Sequence, residues 1–273
     1  MSLFNELQNL MAKHGFRPNR KLSQNFVVNE ALIQKLINLA NLKKDDTVLE
    51  VGPGTGFLSR ELLNHCRVIA VELDQSLCTL LEEELPPKGL TLICEDFLKA
   101  KLPKFNKVVS LPPYCQSSPI MLKLFLLDFE LAVLVLQKEF AEKILAEPGF
   151  DQYSALSVLI QHSFDLKAGQ IVSPASFFPR PREESRVLIL EAKKPSPLVN
   201  DREGFSLFVK TLFRFRNKNF KNAIEKSKQF LLPNFKLSEK EFDRKAASLP
   251  SLEEKVCQLQ VRAFAQAFNK LFS

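Results

Sequence analysis

The chain has 273 residues, 45% hydrophobic and 25% charged, with a formal net charge of +7 and a pI near 9.1. That length supports one full α/β core and a small second domain. No apolar run reaches the ~18 residues of a membrane span, and the amphipathic first residues are unlike a signal peptide, so a cytoplasmic protein is expected. The five cysteines are scattered and form no C-x-x-C pair, which points to neither a disulfide framework nor a zinc site. The basic balance is compatible with a polyanionic partner.

In chain order, residues 1–20 read as a basic lead-in around a short helix, and Asn29–Leu42 has helical apolar spacing. Strands are then predicted at Thr47–Val51, Val68–Glu72, Thr91–Glu95, Lys107–Leu111, Glu130–Gln137, Gln161–Val172 and Val187–Ala192. The helices between them fall at Phe57–Asn64, Leu77–Leu85, Pro119–Leu127, Phe140–Glu147 and Ser154–Ile160. This alternation implies α/β architecture, a doubly wound and mainly parallel sheet, with the last two strands forming an antiparallel hairpin at one edge. Lys193–Asn200, containing Lys-Lys-Pro-Ser-Pro, reads as a linker. Helices follow at Phe205–Phe215, Lys218–Phe230, Glu239–Ala247, Leu252–Leu259 and Val261–Leu271. The expected domains are thus a basic extension (1–20), an α/β domain (21–195) and a small all-α domain (196–273).

Four clusters fall at the C-terminal ends of strands, where open α/β sheets bind ligands. The first is Glu50-Val51-Gly52-Pro53-Gly54-Thr55-Gly56, with Glu72 closing the next strand. Gly52 and Gly54 permit a sharp turn and a close backbone approach, and the Glu72 carboxylate can accept both hydroxyls of a ribose. Phe57 stands where a dinucleotide loop has its third glycine, and Glu50 would repel a pyrophosphate but suit a cationic amino acid tail. The unit therefore favours S-adenosylmethionine (AdoMet) over NAD. The second is Glu95-Asp96-Phe97: Asp96 can accept the exocyclic amine of adenine while Phe97 packs on the ring, although a helix cap at Asp96 gives the same pattern.

The third cluster is Ser110-Leu111-Pro112-Pro113-Tyr114. Two prolines remove amide donors and leave carbonyl oxygens free to accept an amine N–H, and Tyr114 can stack on a base. The fourth is Phe177-Phe178-Pro179-Arg180-Pro181-Arg182, an aromatic pair on a stiff loop whose Arg180 and Arg182 suit an extruded base and its phosphate. Lys210, Arg214, Arg216, Lys218 and Lys221 read as one basic helix, with Lys210, Arg214, Lys218 and Lys221 on a shared face that would contact phosphates. No hydride-relay histidine accompanies the four clusters.

With these residues in place the chain resembles the rRNA adenine N6-dimethyltransferases of the KsgA type, close to their archaeal and eukaryotic branch. The resemblance runs from about Pro18 to the C-terminus. It is carried by Lys21-Leu22-Ser23-Gln24-Asn25-Phe26-Val27, Glu50 to Gly56, Glu72, Asp96, Ser117-Ser118-Pro119, Phe177 to Arg182 and Phe213-Arg214-Phe215-Arg216-Asn217-Lys218. It implies that Asn25, Val27, Gly52, Glu72 and Asp96 bind AdoMet. It also implies two adjacent adenines near the 3′ end of small-subunit rRNA as substrate, each methylated twice. The methyl of AdoMet is already activated, so no metal is expected, and the protein is expected to act as a monomer away from membranes.

One residue departs from the pattern. The family's Asn-Leu-Pro-Tyr is here Leu111-Pro112-Pro113-Tyr114, with Ser117-Ser118-Pro119 holding the register. The asparagine that should accept a target N–H is therefore Leu111, whose side chain accepts nothing. Loss of one positioned partner costs roughly 2–4 kcal/mol of transition-state stabilisation. A shifted Ser110 could substitute, and the Pro112 carbonyl remains. A slow enzyme, a monomethylating enzyme and a non-catalytic rRNA-binding assembly factor all fit this residue.

Overall fold

The computed structural model describes residues 1–250 and 253–272. In chain order its elements are α1 (Leu3–His14), β1 (Phe26–Val27), α2 (Glu30–Ala40), β2 (Thr47–Val51), α3 (Phe57–Leu63), β3 (Arg67–Glu72), α4 (Gln75–Glu84), β4 (Leu90–Cys94), β5 (Lys107–Ser110), α5 (Ser117–Leu126), β6 (Leu131–Gln137), α6 (Lys138–Leu145), α7 (Ala155–Ser163), β7 (Phe164–Val172), β8 (Phe177–Phe178), β9 (Ser185–Ala192), α8 (Arg202–Phe213), α9 (Phe220–Leu231), α10 (Glu239–Ala247) and α11 (Val261–Phe272).

Seven strands form one sheet in the order β4-β3-β2-β5-β6-β9-β7. Strands β2 to β6 pair in parallel and β9 runs antiparallel to β6. The ion pairs Lys167–Glu191 and Asp165–Lys193 run in opposite senses along β7 and β9, as the expected edge hairpin requires. Chain direction reverses its walk across the sheet between β2 and β5. The crevice outside their C-terminal ends is the position where doubly wound sheets take ligands. The central strands are apolar throughout because both faces are covered: Val48, Leu49, Val108, Val109 and all of Ala132 to Leu136 are at most 1% exposed.

The chain divides into two compact units, residues 1–141 with 166–192, and residues 142–165 with 193–273. In the first, α1 buries Leu3, Leu7 and Leu10. It is tied to α3 by the Arg60–Glu6 ion pair and to the end of α4 by His14 and Glu84 at 2.7 Å. Phe16 then meets Phe26 edge-on at 5.8 Å. In the second unit, α7 packs with α8 and α11. Phe205, Phe208, Phe235, Phe268 and Phe272 form a contiguous ring cluster, and the Tyr153 hydroxyl donates to the Leu259 carbonyl at 3.0 Å.

Several local expectations are corrected. Gln161–Ser163 complete α7 rather than open a strand, and the Gln161 side-chain Nε2 donates to the carbonyls of Ile144 and Ala146, both at 2.8 Å, which ties this turn to the end of α6. The helix expected at Leu252–Leu259 begins outside the described residues, and its described part is extended apart from one tight turn at Val256–Gln258. The supposed basic helix is interrupted. Helix α8 stops at Phe213, residues 211–218 close i→i−3 turns, and Asn219 starts α9 by accepting the Asn222 amide at 3.1 Å. Lys210 and Lys221 therefore lie on different helices, and Arg214, Arg216 and Lys218 on the turn.

Two cysteines are paired, contrary to expectation. The β3–α4–β4 crossover brings the Cα atoms of Cys78 and Cys94 to 6.1 Å in a disulfide, while Cys66, Cys115 and Cys257 are free. The two lie sixteen positions apart, a loop for which a cross-link stabilises by about 3 kcal/mol. Alkylation of unfolded, unreduced protein should block three cysteines and leave two. Urea unfolding with reductant should shift to lower midpoint. Five blocked thiols without reductant would exclude the bond.

Candidate functional site

The loop between β2 and α3 turns on Gly52, Gly54 and Gly56, all with positive φ. At Gly54 this conformation is combined with close approach: a Cβ there would lie 2.9 Å from Cδ1 of Phe26. A Cβ on Gly52 would lie 3.2 Å from Cδ of Pro113, so the loop after β2 touches the segment after β5. The Gly54 amide donates to Oε2 of Glu72 at 3.2 Å, and Oε1 of Glu72 accepts the amides of Leu73 and Asp74, both at 2.9 Å. These bonds fix the carboxylate at the end of β3. Its pKa is raised, first by burial, against the pull of the three amides.

Two adjoining cavities open at this place. The first is lined by Lys21 to Phe26, Gly52, Gly54, Glu72, Leu73, Leu77, Leu111 to Gln116 and Phe177. The second is lined by Val51, Gly52, Val71, Glu72, Leu73, Glu95 to Leu98, Pro113, Gln116 and Ile120. Gly52, Glu72, Leu73, Pro113 and Gln116 border both. Most of the predicted catalytic and cofactor residues thus converge here: Asn25, Gly52, Gly54, Glu72, Asp96, Phe97, Leu111, Pro112, Tyr114 and Phe177.

Their settings differ. Asn25 donates to the Ser23 carbonyl at 2.9 Å, and Gln24 spans to Asp74 at 2.8 Å, holding this segment beside the end of β3. Asp96 accepts the Leu98 amide at 2.9 Å, and buried Phe97 carries the Lys123 ammonium 4.7 Å from its ring centroid. The Tyr114 hydroxyl lies 2.6 Å from that of Ser185; burial outweighs that hydrogen bond and raises the phenol's pKa. Phe177 is placed by the β1–β8 ladder, in which Val27 pairs with Phe177 and Phe26 with Phe178. Leu73 and Gln116 were missed by the sequence reading. Leu73 carried a usable signal: an apolar residue directly after a strand-closing acid, 49% exposed at the cavity edge.

Three of the predicted catalytic and cofactor residues do not line either cavity. Val27 sits on β1. Ser110 is fully buried, its hydroxyl donating to the Val51 carbonyl at 2.7 Å and accepting the Val51 amide at 3.3 Å. It stitches β2 to β5. Glu50 is 1% exposed beneath the loop and accepts the Ser59 hydroxyl at 2.6 Å. Its pKa is pushed up to about 8, chiefly by burial, with Ser59 opposing and the Glu72 charge adding. The folded state therefore favours neutral Glu50. Its contribution to stability is complete below the ordinary carboxylate value near 4.5 and is lost as pH rises through about 8. Urea unfolding should show stability declining across that window in the parent and a flatter profile in Glu50→Gln; parallel profiles would refute the assignment.

Arg180 and Arg182 are exposed beyond β8. In the second unit, Lys210, Lys218 and Lys221 are exposed, the Arg214 guanidinium stacks 4.0 Å from the Phe230 ring centroid, and Arg216 donates to the Asp151 carbonyl at 3.0 Å. Among the described residues no cluster of metal-ligating side chains occurs and no helix is long and apolar enough to cross a membrane.

A glycine cradle, a strand-closing acid and a proline-stiffened loop on a sheet of this order define a methyltransferase of the Rossmann-like class. The family described as ribosomal RNA adenine dimethylase matches residues 15–242, and the chain belongs to it; its cofactor is AdoMet. The chain is 37% identical over 254 residues to the "Probable ribosomal RNA small subunit methyltransferase A" of Thermococcus gammatolerans, covering 93% of this chain and 89% of that one. It is 42% identical to the protein of the same name from Methanothermobacter thermautotrophicus, covering 69% and 70%. Among solved structures, a dimethyladenosine transferase from Plasmodium falciparum superposes with a TM-score of 0.75 at 27% identity, covering 90% of this chain and 98% of that one.

Proposed function

We propose that this protein methylates N6 of two adjacent adenosines near the 3′ end of small-subunit rRNA during ribosome assembly, as a cytoplasmic monomer. The observation that carries the reading is the shared border of the two cavities: the residues that suit an AdoMet nucleoside adjoin the Leu111–Tyr114 segment that suits a target base. The site fits the cofactor by its own chemistry. A Cβ would fill the cradle at Gly54, the Glu72 carboxylate is buried and fixed on the border of the two cavities, and the second cavity pairs the Asp96 carboxylate with the apolar faces of Phe97 and Ile120. Glu72 would hold the ribose hydroxyls and Asp96 the adenine amine. AdoMet supplies an already activated methyl group, so the protein needs neither a metal nor a strong base.

What this chain's residues contribute is alignment and exclusion of water. Tyr114 and Phe177 bound the space for a flipped base. The Pro112 carbonyl accepts an N–H of the target amine and directs its lone pair. Exposed Arg180, Arg182, Lys210, Lys218 and Lys221 contact phosphates, which makes binding salt-dependent.

A second reading rests on Leu111 and Ser110 together. Leu111 offers no acceptor, and the Ser110 hydroxyl is committed to the Val51 backbone. An assembly factor that binds rRNA and keeps the cofactor pocket without turnover fits the same residues. Transfer of tritiated methyl to immature small subunits separates the two readings. Label in rRNA supports the enzyme. Tight binding without label supports the factor. Leu111→Asn should raise the single-turnover rate on unmodified rRNA about 30- to 1000-fold, the equivalent of restoring one positioned partner; an unchanged rate counts against the assigned role.

A further inference from the structure

Resting on the methyltransferase reading, we infer that the target pocket is matched to adenosine already carrying one methyl on N6, so that the reaction performed is the second methylation. The argument counts acceptors. An unmodified adenine amine brings two N–H groups, and both need partners once they leave water. The Pro112 carbonyl has no donor among the described residues and takes one. The side chains that flank Pro112 along the chain and could take the other are occupied or apolar; the cavity's remaining acceptors, Asn25 Oδ1 and the Gln116 side chain, lie outside the Ser110–Tyr114 segment. Ser110 is bonded to Val51 on both its donor and acceptor sides and is fully buried. The Tyr114 hydroxyl is engaged with Ser185, and both ends of the Gln24 amide are used, by Asp74 and by the Asn19 amide.

Leu111, half-buried against the core, presents hydrocarbon to the same cavity. An N6-methyl amine satisfies this inventory. Its single N–H goes to Pro112 and its methyl packs against Leu111, where transfer from water is favourable. The step forms one N6–CH3 bond as the donor's S–CH3 bond breaks, and the remaining N6 proton leaves to solvent. The dimethylated product has no N–H for Pro112 and binds less well, which favours release. The substrate must come from a reaction that installs a single methyl on adenine N6.

The test uses the full-length protein and three RNA oligonucleotides of the target sequence, carrying adenosine, N6-methyladenosine or N6,N6-dimethyladenosine at the target positions. Cofactor-free fluorescence anisotropy should rank the monomethyl RNA tightest, by about tenfold over the unmodified RNA. Methyl transfer should favour it by at least the same factor. Leu111→Asn should reverse both preferences. Equal binding and equal rates for the first two RNAs would overturn the inference while leaving the methyltransferase reading intact. Loss of the unmodified substrate in Gln116→Leu would overturn it too, by making Gln116, which also borders the cavity, the second acceptor. No transfer to any RNA by parent or Leu111→Asn, at saturating AdoMet, would overturn both.

Discussion

Gly54→Val should lower AdoMet affinity at least 100-fold, equivalent to about 2.7 kcal/mol, with the fold retained. Two effects combine at this position. The backbone holds φ at +61°, a conformation that is worst for a β-branched side chain. The new Cβ would also lie 2.9 Å from Cδ1 and 3.2 Å from Cε1 of Phe26. Phe26 cannot retreat freely. It is 5% exposed, packs on Phe16, and pairs through β1 with β8. The strain therefore moves the loop and the Lys21–Phe26 wall together, and with them the amide that orients Glu72. Gly15→Ala is the matched control. It has φ +65° but nothing within 4 Å of the added Cβ, so only backbone strain remains, about 1 kcal/mol of stability with binding unchanged. Calorimetric titration with AdoMet and circular dichroism on both variants distinguish local occlusion from unfolding. Parent-like affinity in Gly54→Val would remove this loop from the cofactor site.

Lys107→Met should destabilise the first unit by about 3–5 kcal/mol, the usual effect of removing one member of a buried ion pair. The Lys107 ammonium lies 2.8 Å from Asp46, with both side chains under 10% exposed, and also donates to the carbonyls of Ala40 and Asn41 at 3.1 and 2.7 Å. Removal strands one buried carboxylate and two carbonyls at once. Burial alone would raise the Asp46 pKa. The bonds from Lys107, the Asn106 amide and the Lys43 amide together outweigh it and hold the carboxyl below its ordinary value. Its stabilisation is therefore complete above the unfolded carboxylate's value and is lost as pH falls through the lower folded one. Urea unfolding of Lys107→Met near neutral pH should show the full loss, and the gap to the parent should close on acidification. A loss under about 1 kcal/mol would mean that water reaches the pair, as at exposed ion pairs.

The glycine loop after β2 was legible in the chain because its determinants are local. Glycines at 52, 54 and 56, an apolar strand before them and an acid closing the next strand restrict the backbone through nearest-neighbour sterics, and those rules hold wherever the segment sits. The parallel sheet was legible for a related reason: strands covered on both faces, such as Ala132–Leu136, are apolar without alternation. The limits appeared where a residue's partner lies far along the chain. Ser110 read as a possible substitute acceptor, yet β2–β5 pairing commits its hydroxyl to Val51. Glu50 read as a cofactor contact, yet packing places it under the loop against Ser59.

The amino-acid order alone determined the turn chemistry, the strand and helix periods, and the identity of the unusual leucine at 111, since each depends on residues a few positions apart. Tertiary structure alone decided which polar groups around that leucine remain available, that Cys78 reaches Cys94, and that Lys107 is buried opposite Asp46. The physical reason is that burial and hydrogen-bond partnership are set by chain crossovers bringing remote segments together, and those crossovers leave no periodic trace in the segments they join.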